Sequence, residues 1–254
     1  MADLLLQDLK GGVLTLIFNR PEKKNALNIK MWIDLREAFL QAQQNDNVNV
    51  VVLAGNGADF CTGVDLNDFG EADGEHPYES AARVICDFDK PLIGVAQGIA
   101  IGGGATILFH CDVVYVGESL RMRLPFTNLG LVPEFASSYM LQANIGARRA
   151  AELFYTAEWI DAEKAVDVGI ATARYADEEL LPKAAAKAAE IAQWPVNALR
   201  ETKRCLKAAH QGGIARALEA EHEGMQKQAG SPENIEAVMA FIEKRPADFK
   251  KLLK

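Results

Sequence analysis

The chain has 254 residues, 49% of them apolar and 24% charged. This is ordinary globular usage, which excludes a wholly disordered chain and allows one large domain with an appendage at about 150 residues per domain. Lys and Arg number 27 against 35 Asp and Glu, a net charge of −8, the wrong sign for a nucleic-acid-binding surface.

Val13 to Phe18 is apolar and β-branched and reads as a strand, ended by Asn19-Arg20-Pro21. Asn28 is a plausible cap for a helix to about Asn45, with Met31, Trp32, Leu35, Phe39 and Ala42 at helical spacing. Val48 to Ala54 is a second strand. A helix from about Glu79 to Phe88 leads to a strand from Leu92 to Gln97. A glycine turn then opens a helical segment from Gly104 to His110, and Cys111 to Gly117 is another strand. Strands alternating with helices imply crossovers and largely parallel pairing. From Phe135 onward helical patterns dominate: Ser137 to Asn144, Ala147 to Phe154, Asp161 to Val168 and Glu178 to Gln193. Two or three more fill Val196 to Glu243, broken by Gly212-Gly213 and by Gly230-Ser231-Pro232. The expected organisation is an α/β core over residues 1–195 and a C-terminal helical region over 196–254.

Pro91 to Cys111 carries no Asp, Glu, Lys or Arg, long enough to mimic a spanning helix. Its five glycines, Pro91 and Gln97 make it a buried strand, a turn and a buried helix start instead, so no membrane span is expected. The four cysteines, Cys61, Cys86, Cys111 and Cys205, form no CxxC pair, and Asp3 and Asp8 interrupt any signal peptide. A reduced, cytoplasmic setting without a zinc or redox motif follows.

GxGxxG after a strand, GxxxxGK[ST], HExxH and GxSxG are all absent, which removes the dinucleotide, P-loop, zincin and hydrolase-elbow readings. Of the four histidines, His110 closes an apolar helix and reads as a buried, satisfied side chain. His76 lies in a stretch from Asp59 to Glu79 with seven acidic residues and no Lys or Arg, and reads as surface.

Two glycine segments stand out: Phe60-Cys61-Thr62-Gly63-Val64-Asp65-Leu66, and Gly98-Ile99-Ala100-Ile101-Gly102-Gly103-Gly104 between a strand and a helix. Backbone amides exposed at such a turn favour negative charge, while close packing of strand on helix also selects glycine. Together these segments resemble the two oxyanion-hole segments of the enoyl-CoA hydratase/isomerase (crotonase) superfamily. Phe18 to Asn28 (FNRPEKKNALN), Leu124 to Glu134 (LPFTNLGLVPE) and Phe241 to Phe249 (FIEKRPADF) resemble further signatures of it, in order. The resemblance implies an α/β spiral of ββα turns whose C-terminal helices build homotrimers, often paired into hexamers. It implies an acyl-CoA thioester as ligand, with coenzyme A part of the substrate and neither cofactor nor metal. The amides of Val64 and Gly103 would bind the thioester oxygen. The matched segments also bring Ala26, Thr62, Asp65 and Leu66 to the substrate, and Lys23, Lys24, Lys244 and Arg245 to the CoA phosphates. Each of these cations reads equally as a solvated surface charge.

The carboxylates bear on the reaction. Hydratases of this superfamily use two glutamates, and the matching positions here are Thr106 and Phe126. Glu134 remains, resembling the single catalytic glutamate of the peroxisomal-type Δ3,Δ2-enoyl-CoA isomerases. The same position carries the nucleophilic aspartate of the 4-chlorobenzoyl-CoA dehalogenases. A base there needs an apolar pocket to raise its pKa, for which Phe126, Leu131 and Phe135 are candidates. The expected activity is Δ3,Δ2-enoyl-CoA isomerisation with Glu134 as base. The alternatives are a hydratase-like lyase, a dehalogenase- or thioesterase-like hydrolase, and a non-catalytic acyl-CoA-binding protein.

Overall fold

Strands β1 (Leu5–Lys10) and β2 (Val13–Phe18) form an antiparallel hairpin. It turns at Gly11 and Gly12, both at positive φ (58° and 82°) as a tight two-residue hairpin turn requires. The computed structural model describes residues 3–65, 68 and 76–252. Asn28 caps α1 (Ile29–Gln44), its side chain accepting the Met31 amide at 2.9 Å. The apolar stripe of α1 is buried: Met31, Trp32, Leu35, Ala38, Phe39 and Ala42. Next come β3 (Val50–Gly55), α2 (Pro77–Asp87), β4 (Leu92–Ala96), β5 (Ile99–Ile101) and α3 (Gly103–Thr106), which tightens into a 3-10 turn ending at His110. β6 (Val113–Gly117) and β7 (Arg121–Arg123) follow.

The strands divide between two sheets, ordered β1-β2-β3-β4-β6 with a later strand, and β5-β7 with another. Successive strands of one turn thus enter different sheets before the helix, the ββα spiral expected from the resemblance. From β2 onward the larger sheet is parallel. Its central strands β3 and β4 are buried on both faces, hence their unbroken apolar sequences.

The remaining elements are α4 (Ser137–Ile145), α5 (Ala147–Thr156), β8 (Ile160–Asp161), α6 (Ala162–Val168), β9 (Ala173–Tyr175), α7 (Asp177–Ile191), α8 (Val196–Ala208), α9 (Gln211–Gln228) and α10 (Pro232–Ile242). β9 closes the larger sheet and β8 the smaller. Leu180, Ala184 and Ala188 of α7 cover one face of the larger sheet against Val50, Val52, Ile93 and Val95. α1 and α2 pack on each other within the main core, which lies on the opposite face.

Pro91 to Cys111 resolves into β4, β5, α3 and the 3-10 turn, and among the described residues no helix is long and apolar enough to cross a membrane. Gly212-Gly213 does not break a helix. Both lie in the first turn of α9, and a Cβ on Gly213 would stand 2.3 Å from the Tyr139 ring, so glycine there serves close packing of α9 on α4. The break falls at Ala209-His210. Ser231 caps α10 by accepting the Asn234 amide at 3.1 Å, with Pro232 at the first helical position. Lys203 of α8 is buried, its ammonium donating to Lys90 O and to the Asp112 carboxylate, each at 2.8 Å. The C-terminal helices are thereby tied to the ends of β4 and β6.

Candidate active site

The two glycine segments lie backbone to backbone. Cys61 donates its amide to Ile99 O and accepts the Ile101 amide, both at 3.0 Å, adding a bridge beside β5. A Cβ on Gly104 would fall 2.3 Å from Cys61 O, and one on Gly63 would fall 2.8 Å from Ile101 O and 3.0 Å from the Gly103 nitrogen. Gly63 and Gly102 also hold positive φ (81° and 54°). Glycine is required here for space and for backbone angle together. The amides of Val64, next to Gly63, and of Gly103, at the start of α3, are thereby brought to one place. Among the described residues neither donates to a protein acceptor, leaving two main-chain donors free to share a ligand oxygen.

Glu134 completes this corner. Its Oε1 stands 3.1 Å from the position a Cβ on Gly103 would occupy, and the Trp32 ring edge (Cζ2, Cη2) stands 3.6 Å from the same point. The backbone beyond Glu134 is strained: Phe135 and Ala136 both lie at positive φ, 64° and 53°, a conformation that persists only where the surroundings impose it. They do so from two sides. His110 Nε2 is 2.6 Å from Phe135 O. Glu221 of α9 accepts the Ala136 amide at 2.7 Å and the Ser138 amide at 2.8 Å. Burial lowers the His110 pKa to about 4, so the ring is neutral near pH 7 and donates its Nε2–H to the carbonyl.

Glu134 is half-buried by exposed area, yet densely surrounded by protein. Phe135 packs at ring distances of 6.5 Å on Trp32, 6.3 Å on Tyr78 and 5.3 Å on His110. Burial first, and then the charge of Glu221, push the Glu134 pKa up to about 7. That value suits a group that must both take and return a proton near neutrality. Burial raises the Glu221 pKa as well, opposed by its bonds from Ser138 and Ala136.

The other sequence-predicted residues fall at varied places. Thr106 and Phe126 hold no carboxylate: Thr106 is buried in α3, and the Phe126 ring packs on Phe154 at 6.2 Å with its plane tilted by 49°. Leu131 is half-buried. Of the three expected wall residues, Phe135 joins the aromatic cluster, and Trp32, Tyr78 and His110 supply the rest of it. Asp65 is buried and paired with Arg20 at 2.5 Å, while Arg20 also donates to Ala26 O at 3.1 Å. Thr62 donates its amide to Lys24 O at 3.2 Å. Lys23 and Lys24 are exposed, Lys24 lying 3.9 Å from Asp59. Lys244 is exposed, and Arg245 is paired with Glu236 and Glu243, each at 2.5 Å. Leu66 lies outside the described residues, as does most of the acidic stretch from Asp68 to Glu79.

Two sheets wound as a spiral, with the two glycine segments lying against each other and the Glu134 carboxyl beside them, match the crotonase fold that the sequence resemblance implies. The family model for enoyl-CoA hydratase/isomerase matches residues 8–252. The chain is 30% identical over 259 residues to 1,2-epoxyphenylacetyl-CoA isomerase of Escherichia coli, covering 98% of this chain and 99% of that one. It is 30% identical over 251 residues to enoyl-CoA delta isomerase 2 of Rattus norvegicus, covering 95% of this chain and 64% of that one. The crystal structure of an enoyl-CoA hydratase/isomerase from Pseudoalteromonas atlantica superposes with a TM-score of 0.94 at 34% identity, covering 97% of this chain and 100% of that one. The chain belongs to the enoyl-CoA hydratase/isomerase family, whose members process acyl-CoA thioesters.

Proposed function

We propose that the protein is a Δ3,Δ2-enoyl-CoA isomerase with Glu134 as its single acid–base group. In this reading the thioester oxygen of a 3-enoyl-CoA accepts the Val64 and Gly103 amides. The Glu134 carboxylate removes a proton from C2, and the electron pair delocalises from C2 onto the thioester oxygen as a dienolate. The protonated Glu134 then returns that proton to C4 and the double bond settles between C2 and C3. No atom is gained or lost. Negative charge gathers on the oxygen only as the proton leaves, so each preorganised amide lowers the barrier by about 3 kcal/mol.

The observation that carries the reading is the half-buried carboxyl of Glu134 beside Gly103, its pKa raised to about 7, with Thr106 and Phe126 at the positions where the resemblance would place two water-activating glutamates. Relatives of similar identity include a 2,3-dehydroadipyl-CoA hydratase of Escherichia coli, so hydration of a 2-enoyl-CoA is the competing activity. Lys23, Lys24, Lys244 and Arg245 are proposed to meet the CoA phosphates. Residues 196–254 are proposed to form the contact of a homotrimer or hexamer: Ile235, Phe241 and Ile242 of α10 are 54%, 64% and 65% exposed, an apolar face that a second copy would cover. The test is Glu134→Gln assayed with 3-hexenoyl-CoA and, separately, for hydration of crotonyl-CoA. The proposal expects isomerisation to fall at least a thousandfold, acyl-CoA binding to persist, and wild-type hydration to be slower than isomerisation. Retained isomerisation in the variant would overturn it.

A further inference from the structure

The Val64 donor rests on very little sheet. Leu27 and Val64 form an isolated bridge. Leu27 donates its amide to Gly63 O at 2.8 Å, and its carbonyl accepts the Asp65 amide at 2.9 Å. A trans peptide points its N–H opposite to its C=O. With Gly63 O on Leu27, the Val64 N–H therefore points away from Leu27, into the corner shared with Gly103. The direction of this donor is set by how Gly63 and Asp65 sit on Leu27. One side chain ties the two partners together. Arg20 Nη1 donates to Ala26 O at 3.1 Å and to Asp65 Oδ2 at 2.5 Å. Ala26 precedes Leu27 and Asp65 follows Val64, so a single nitrogen joins the two chains one residue from the bridge. The ion pair is shielded from water, with 16% of the Arg20 side chain and 8% of the Asp65 side chain exposed.

Arg20 is itself held in place. Its amide donates to Asn25 Oδ1 at 2.8 Å, and its carbonyl accepts the Asn25 amide at 2.9 Å. Asn25 is fully buried at a φ of 55°, and its Nδ2 donates to Asn56 O at 3.0 Å and to Asp59 O at 2.7 Å. The guanidinium thus projects from a turn anchored to the loop after β3. A buried ion pair adds little net stability over packed apolar side chains, and its best-attested use is to fix register. We propose that Arg20 and Asp65 are positioning residues. The pair fixes the Val64 amide where it can donate to the thioester oxygen, and Asp65 acts through Arg20 rather than on the substrate. This inference rests on the reading of Val64 and Gly103 as donors to that oxygen, but not on which reaction Glu134 performs.

The test is the carbonyl stretch of bound hexanoyl-CoA, labelled with carbon-13 at the thioester carbon and read by difference infrared spectroscopy. Hydrogen bonds to the thioester oxygen lower that frequency, so the wild type is expected to show a red shift against the free thioester. Asp65→Asn and Arg20→Gln are expected to lose about half of it, because one of two donors is displaced. With 3-hexenoyl-CoA their kcat is expected to fall about 10–100-fold while KM stays within about threefold, as for a reacting group moved by about 1 Å. Arg20→Lys, which keeps the cation, is expected to recover part of both losses. Glu221→Ala is the control: it displaces the Glu134 carboxyl and not the amide, so the full red shift is expected to persist while kcat falls. Where Asp65→Asn and Arg20→Gln fail to fold, Arg20→Lys decides alone, with a red shift smaller than that of the wild type expected. A full red shift in the deciding variants, or an equal loss in Glu221→Ala, would overturn the inference while leaving the two-donor reading intact. Failure of all three ion-pair variants to fold would assign the pair to stability and overturn it too. Absence of a red shift in the wild type would overturn both.

Discussion

Glu221 Oε2 accepts the Ala136 amide at 2.7 Å across 85 residues of sequence, and its other oxygen takes the Ser138 amide. A carboxylate from α9 thus pins the left-handed pair Phe135-Ala136, which sets where Glu134 points. Glu221→Ala removes both acceptors, and the strained turn is free to relax. A misplacement of about 1 Å costs on the order of a hundredfold in rate. The expected outcome is a fall in kcat of about 10–100-fold with little change in KM, partly restored in Glu221→Gln, which keeps one amide oxygen in place. Steady-state kinetics of the two variants check this, with circular dichroism to confirm folding.

Glu134 must be ionised to accept a proton, and its pKa stands at about 7. The kcat/KM of the free enzyme is therefore expected to rise with pH to a plateau, with a midpoint near 7 rather than near the ordinary glutamate value of 4.5. Glu221→Gln removes one of the two causes of that elevation, so its midpoint is expected to move down. A pH–rate profile from pH 5 to 9 reads both.

The same shift has a consequence for stability. A carboxyl whose folded pKa is raised holds its proton more tightly in the folded than in the unfolded chain. Its contribution is fully present below pH 4.5 and is lost as pH rises through about 7. Above pH 7 the folded protein bears the cost of a buried charge. Glu134→Gln relieves that cost and is expected to stabilise the protein at pH 8, by up to about 3 kcal/mol at about 1.4 kcal/mol per pKa unit, and to have no such effect at pH 4.5. Urea melts at the two pH values test the sign.

The glycines of the second turn are expected to separate catalysis from folding. A Cβ on Gly103 meets the far end of the Glu134 side chain at 3.1 Å, whereas one on Gly104 meets the Cys61 carbonyl at 2.3 Å. Gly103→Ala should fold normally and lose kcat by about tenfold or more, because it crowds the carboxyl rather than the backbone. Gly104→Ala should be destabilised by about 2–3 kcal/mol, since one backbone must move away from the other. Thermal melts and kinetics on the pair make the comparison.

Much of this site can be read from residues near one another in the chain. Asn28 and Ser231 are local caps, β2 and α1 show their periods, and the glycine segments mark where two backbones touch. Glu134 stands out because its neighbours in sequence match a known pattern. His110, Glu221 and the aromatic wall are less accessible. Trp32 occupies a core position on the stripe of α1, and nothing in its spacing shows that its ring edge borders the same corner as the Glu134 carboxyl. His110 reads correctly as a satisfied buried histidine, but only the fold reveals that the carbonyl it satisfies belongs to the turn beyond Glu134. Glu221 sits in a helix rich in exposed charge, and its role arises from packing of α9 on α4. β1 and β9 escape pattern reading for a different reason: β1 is an edge strand with five of six residues exposed, and β9 has three residues, too few to show alternation.

The central claim is that two free amides and one carboxyl converge on an acyl-CoA thioester. A crystal structure of the protein with hexanoyl-CoA tests it most directly. The account expects the thioester oxygen within about 3.2 Å of both the Val64 and Gly103 nitrogens, with a Glu134 carboxylate oxygen as the nearest ionisable atom to C2. A thioester oxygen bonded elsewhere, or Glu134 turned away from the acyl chain with another carboxyl facing C2, would contradict it.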